Sequence, residues 1–320
     1  MRYNLGAFAL SSFSFVSGVF GESTNRKSMT KMTCSLIGAA IFTSLICDLI
    51  LLVTPGEKQP LYIHDMAWYL IALCVWRWTL SPLFKFLESY AIPSILPWFC
   101  IFCTCHCLAQ GFRFLSNFYW GYFAFWFYTP LFALGRCMQR ETWTNLLDNK
   151  YLIAVAAVFL PLWCFASLWW EELQEWNDVV CVHSNCASKA WPGPKSSDGL
   201  HLTGFLDACR VFLLKALVSF SVVWVVAAIT PQEPVFKSTL AGCGIRTIYG
   251  YVLHIIVHVY LGVRLGLPLI VDWLPEWMGL SLLLIMCVSS LFVWCSQLTG
   301  YLFSWMVEPL WILKLMHISE

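Results

Sequence analysis

The feature that most constrains this chain is a succession of apolar runs about as long as a bilayer is thick. Met32–Thr54 contains one charged residue, Asp48, while Ala91–Ala109 and Leu280–Ser296 contain none. A helix needs about 20 largely apolar residues to cross the hydrocarbon core, where only helices and closed barrels satisfy their backbone polar groups. The runs lack the strict alternation of barrel strands. The expected fold class is therefore all-α, a polytopic transmembrane helix bundle of about nine to ten spans. The expected spans are Tyr3–Phe20, Met32–Thr54, Asp65–Phe84, Ala91–Ala109, Phe118–Gly135, Tyr151–Trp170, Phe205–Ile229, Arg246–Gly262 and Leu280–Ser296. Tyr301–Leu315 is expected to be an interfacial helix or a tenth span.

Composition agrees, with 59% hydrophobic and 12% charged residues where a soluble domain carries roughly 45–50% and about 25%. Lipid has to absorb that excess, so the bilayer is the first expected partner and the location is an integral, multi-pass one. A net charge of +1 with scattered basic residues offers no field for a nucleic-acid backbone. Neither a linker nor an internal repeat interrupts the chain, which predicts a single transmembrane domain over residues 1–320. Met1–Phe20 lacks the basic start and clean cleavage site of a signal peptide, and so counts as a span.

Most of the fifteen cysteines, Cys47, Cys100 and Cys105 among them, lie inside apolar runs, where cysteine behaves as a small hydrophobe. Cys181 and Cys186, with His183 between them, stand instead in a polar loop. A disulfide or free thiols fit there better than a metal, because the spacing matches no zinc motif. With Met1 outside, ten basic residues, including Lys85, Arg136, Arg140 and Lys150, fall on the inner side, against six outside. The acidic start and cysteine pair of the Glu171–Gly204 loop suit the outer, oxidising side.

Ionisable groups inside spans are costly, which makes them candidates for function. Arg77, between Trp76 and Trp78, is either a snorkelling arginine in an aromatic belt or a buried anion contact. Asp207 and Arg210 are spaced to pair on one helix, with Lys215 a turn further on. His254 and His258 share a helix face at i,i+4 spacing, but no third metal ligand is evident. His64-Asp65 at the mouth of the third span could be an oriented base or a polar helix cap. His106 in the string CTCHC is spread away from its neighbours around the helix, and is expected not to face the bundle interior. No phosphate loop, nucleophile elbow or pair of carboxylates within a span is present.

Four segments in order resemble the acyltransferase 3 family, polytopic membrane O-acyltransferases that include the fucose 4-O-acetylase-like proteins. They are FSFVSGVFG (Phe13–Gly21), HDMAWYLIALCVWRWTLSP (His64–Pro82), FYTPLFALG (Phe127–Gly135) and GIRTIYGYVLH (Gly244–His254). The resemblance implies transfer of an acyl group, commonly acetyl, from acetyl-CoA or another acyl-CoA to a hydroxyl of a glycan or other small acceptor, without a metal. It makes His254, His64 and Arg77 the candidate catalytic groups and Trp68, Trp76, Arg136 and Arg140 the candidate substrate-binding ones. Arg136 and Arg140 could meet CoA phosphates, or be simple positive-inside anchors.

The family's base is a histidine near the end of its first helix, preceded by a basic residue, and that helix has no counterpart here. Ala9 and Ser11 also stand where related proteins carry histidine and proline. The resemblance therefore implies either a further helix before Tyr3, which would also restore the parity of the spans, or a degenerate copy of the family pattern. Two other functions are open: a transporter or flippase, which would use the same intramembrane charges as a substrate path, and a catalytically dead relative that scaffolds another enzyme.

Overall fold

The computed structural model describes residues 4–19, 26–53, 67–90, 92–111, 122–138, 140–169, 202–229, 247–254, 256 and 274–307. They form α1 (Asn4–Val19), α2 (Arg26–Val53), α3 (Ala67–Ser89), α4 (Ile95–Gly111), α5 (Tyr122–Cys137), α6 (Arg140–Leu147), α7 (Lys150–Trp169), α8 (Leu202–Ile229), α9 (Thr247–His254), α10 (Glu276–Trp294) and α11 (Gln297–Val307). No strand occurs among the described residues. A helix overlaps each of the nine expected spans. Among the described residues, three helices are long and apolar enough to cross a membrane, at Ser28–Ile50, Trp68–Ser89 and Phe212–Ile229, and Ile95–Ala109 and Lys150–Trp163 are shorter apolar stretches.

Local chemistry sets several of the helix ends. Asn149 caps α7, its Oδ1 accepting from the Tyr151 and Leu152 amides at 3.0 and 3.3 Å, which satisfies two of the donors a helix start leaves open. Ser296 does the same for α11 through the Thr299 amide at 3.2 Å. The Thr299 hydroxyl donates back to the Val293 carbonyl at 2.7 Å, so α11 begins at a capped break close behind α10. That break places α11 earlier than the expected Tyr301–Leu315 segment. The eight-residue α6 was not foreseen, because a polar stretch between two apolar runs carries no span signal.

The distribution of side chains is that of a protein in lipid. Along α2, Ile37, Ile41, Leu45, Leu49 and Leu52 form a stripe of exposed aliphatic groups, and Val155, Val158 and Leu162 do so on α7. Contiguous apolar patches on this scale are rare on soluble monomers. Small polar residues, meanwhile, are buried: Ser11, Ser14, Thr43, Ser81, Thr129, Ser219 and Thr299. Thr43 and Thr129 close on their own helix by donating to the Ala39 and Phe125 carbonyls at 2.6 and 2.7 Å, which satisfies their hydroxyls where helices pack.

The chain divides into two compact units, Met1–Glu22 with Val75–Thr230, and Ser23–Cys74 with Pro231–Glu320. In the first, α1 packs on α5 and α8, α4 on α5, and α7 on α8. Gly18 and Gly135 meet where α1 crosses α5. A Cβ on Gly18 would collide with the Phe132 carbonyl, and one on Gly135 with the Phe15 carbonyl. Beside the crossing, the Phe15 ring stacks edge-on against Trp143 and Phe220, with centroids at 4.8 and 4.5 Å. Trp143 thereby anchors α6, and the Trp224 indole donates to the Leu146 carbonyl at 3.0 Å near its end. In the second unit, α2 packs on α11 and α9, and α9 on α10 and α11. The Ser35 hydroxyl donates to the Val307 carbonyl at 3.2 Å, and the Phe42 and Trp305 rings meet edge-on at 5.7 Å.

Candidate functional site

Within the first unit, α3, α4 and α5 are joined by indole hydrogen bonds. Trp76 on α3 is 1% exposed, and its Nε1 donates to Thr129 Oγ1 on α5 at 2.7 Å. Thr129 donates in turn to the Phe125 carbonyl one turn earlier, also at 2.7 Å. The Trp76 ring lies 5.8 Å from Phe125 and 5.4 Å from Phe132, so helical spacing on both elements brings aromatic faces around one polar contact. Trp98 on α4 donates to the Pro130 carbonyl at 3.0 Å. At the end of α5, the Cys137 thiol donates to the Ser94 carbonyl, just before α4, at 3.2 Å.

These bonds hold open a pocket of about 630 Å³ between the three helices. Trp76, Thr79, Leu80 and Leu83 of α3 form one wall, Leu96, Pro97, Cys100, Ile101 and Cys105 of α4 another, and Phe125, Trp126 and Thr129 of α5 the third. Its size falls within the range of ordinary ligand sites. Apolar atoms make up nearly all of the lining.

Arg136 sits in the last turn of α5 and is 8% exposed. A Cβ on Gly18 would stand 3.0 Å from the Arg136 amide, which places this arginine where the C-terminal ends of α1 and α5 converge. A cation there complements the partial negative charge at both helix ends. Its burial departs from the picture of an arginine anchored at the membrane surface.

The other sequence candidates are placed unevenly. Arg77 follows Trp76 on α3, is half-buried, and is not among the residues lining the pocket. Trp68 is 4% exposed and belongs to the second unit, where its ring meets Tyr69 edge-on at 5.8 Å. Arg140 opens α6 and His254 closes α9, but their side chains lie outside the described residues, as do His64, His258, Cys181, His183 and Cys186. The Asp207 and Lys215 side chains fall outside them too, and Arg210 is exposed on α8. One expectation is corrected: His106 is 3% exposed and so faces the interior. It lies on the same side of α4 as Phe102 and Cys105, both also buried, so the packed face of α4 takes Cys105 and His106 from the CTCHC string and leaves Thr104 and Cys107 exposed. Among the described residues, no group of three or more His, Cys, Asp or Glu side chains could hold a metal.

Sequence reasoning missed Thr129 and the Gly18–Gly135 crossing. The small residues Ser11, Ser14 and Gly18, spaced along one face of α1, were a legible signal for the second. Nothing marks Thr129 in sequence, since its role depends on the indole of another helix. No known protein family, curated protein or solved structure matches this chain.

Proposed function

We propose that this protein is a multi-pass membrane O-acyltransferase of the acyltransferase 3 type, with nine to ten spans, that moves an acyl group from acyl-CoA to the hydroxyl of a glycan or other small acceptor. The observation that carries the reading is the packing of three of the four family-like segments against one another. The Phe13–Gly21 segment interlocks with Phe127–Gly135 through Gly18 and Gly135, and the Trp76–Pro82 part of the third span is tied to Thr129 in that same segment. Their proximity supports the reading because it puts residues of these segments within reach of one site.

In the reaction, a base takes the acceptor's hydroxyl proton and the oxygen attacks the thioester carbonyl. The C–S bond then breaks, and CoA leaves as a thiolate that recovers the proton. His254 and His64 are the candidate bases. Arg77 is the candidate cation for the developing oxyanion, and Arg136 and Arg140 for the CoA phosphates. Trp68 remains a candidate substrate contact. Trp76 has its N–H committed to Thr129, so only its ring face is left for substrate.

The test is transfer of radiolabel from acyl-CoA to endogenous acceptors in membranes carrying the chain. Arg77→Ala should lower transfer by about 10²-fold or more, as loss of an oxyanion donor does. Transfer equal to that of empty membranes would sink the enzyme reading. Cysteine labelling that placed positions 140 and 185 on the same side of the membrane would sink the span order.

A further inference from the structure

The pocket between α3, α4 and α5 has the form of a slot. Trp76, Leu80 and Cys105 are buried at its floor, while Leu83, Leu96 and Cys100 are exposed at its mouth. Three of its hydrogen-bonding groups, those of Thr79, Trp76 and Thr129, are committed within the protein, and Thr104 and Trp126 also line it. Thr79 Oγ1 donates to the Val75 carbonyl at 2.7 Å, and the Trp76 and Thr129 groups bond to each other and to the Phe125 carbonyl. A polar ligand would lose its hydration and find almost nothing to replace it. With a methylene taking about the ~30 Å³ of a water molecule in liquid, the 630 Å³ have room for on the order of twenty carbon groups. An acetyl group would leave most of the slot empty.

One end of the slot, at Leu87 and Ile92, is the turn between α3 and α4. The Cys137–Ser94 bond brings the end of α5, with Arg136, beside that same turn. Lys85 lies two residues before Leu87, on the side that the distribution of basic residues assigns to the cytosol. The apolar slot therefore runs toward a turn that carries Lys85 and Glu88, with Arg136 buried beside it, so a cation that a CoA phosphate could meet stands at that end together with one carboxylate.

We propose that this slot holds the hydrocarbon tail of a long-chain acyl-CoA, of roughly palmitoyl length, so that the donor is a fatty acyl-CoA rather than acetyl-CoA. The proposal rests on the acyltransferase reading for the identity of the donor, and on the slot alone for the length of its chain.

The experiment uses the full chain in nanodiscs with palmitoyl-CoA bearing a mid-chain diazirine, followed by photolysis and peptide mapping. Label should concentrate on the slot-facing residues of α3 and α4. Excess palmitoyl-CoA should compete it away at least tenfold better than either acetyl-CoA or free palmitate. Cys100→Trp, which fills the mouth from an exposed position, should cut labelling at least tenfold, and Cys107→Trp, exposed on the same helix but not lining the slot, should leave it unchanged. If Cys100→Trp fails to fold, Thr104→Trp, also exposed and lining the slot, serves in its place.

Label spread over the lipid-facing stripes of α2 and α7 would overturn the proposal. So would equal competition by acetyl-CoA, which removes the chain-length claim, or by palmitate, which gives the slot to a free chain. Absence of transfer from any acyl-CoA would defeat the acyltransferase reading by a separate measurement, leaving the labelling to decide what the slot binds.

Discussion

Helix α5 shows two contrasting faces. Toward α1 there is no room for even a methyl group at Gly135, whereas toward α3 and α4 the same helix walls a pocket of about 630 Å³. In lipid no hydrophobic force drives helices together, and close backbone contact has to supply the attraction instead. The tight face thus holds α5 in place, and that fixed position allows the other face to remain open. Void space next to an unsupported helix would collapse, as cavities partly do when neighbours can relax.

The largest effects should come from filling the tight face. Gly135→Leu or Gly18→Leu would drive a side chain into an opposing carbonyl and is expected to cost about 3 kcal/mol or more, seen as loss of folded protein in a detergent thermal-shift assay. Little change in stability would mean that α1 and α5 are not in backbone contact.

Next comes the bond between the open face and α3. Trp76→Phe keeps the ring but removes the donor to Thr129 and should cost about 1 kcal/mol. A double-mutant cycle with Thr129→Val should give a coupling of about 0.5 kcal/mol or more, measured by chemical denaturation in mixed micelles. Additive losses would show that the two side chains do not interact.

A smaller effect is expected away from both faces. Asn149→Ala removes the cap on α7 and should cost about 1 kcal/mol at most, visible as faster amide exchange at Tyr151 and Leu152. The smallest is expected from Leu45→Ala on the lipid-facing stripe of α2, within about 0.5 kcal/mol in the same thermal-shift assay. A large loss there would mean that the stripe is covered by protein.

Helix positions were legible because they depend on run length and polarity, which any stretch of sequence displays. The capped ends at Asn149 and Ser296 were not among the sequence expectations, although an N-cap is a local device. Orientation about each helix axis was much less legible. A soluble helix advertises its inner face by an apolar stripe, but lipid tails are as apolar as leucine. His106 was accordingly expected to turn away from the interior, and is buried. Trp143 gave no hint that a polar loop would fold into α6 around it, because its partners Phe15 and Phe220 are remote in sequence.

By itself, then, the sequence determined a helical protein bound for lipid, with helices overlapping the nine apolar runs among the described residues, because unalternating apolar runs leave the helix as the way to satisfy backbone groups in hydrocarbon. Tertiary structure alone decided that Gly18 lies on Gly135, that Trp76 bonds Thr129, that Arg136 is buried at two converging helix ends, and that α3, α4 and α5 enclose a pocket. Each of these depends on which face of one helix meets which face of another. That choice is made by close packing and a few interhelical hydrogen bonds, forces that act only once the helices are side by side.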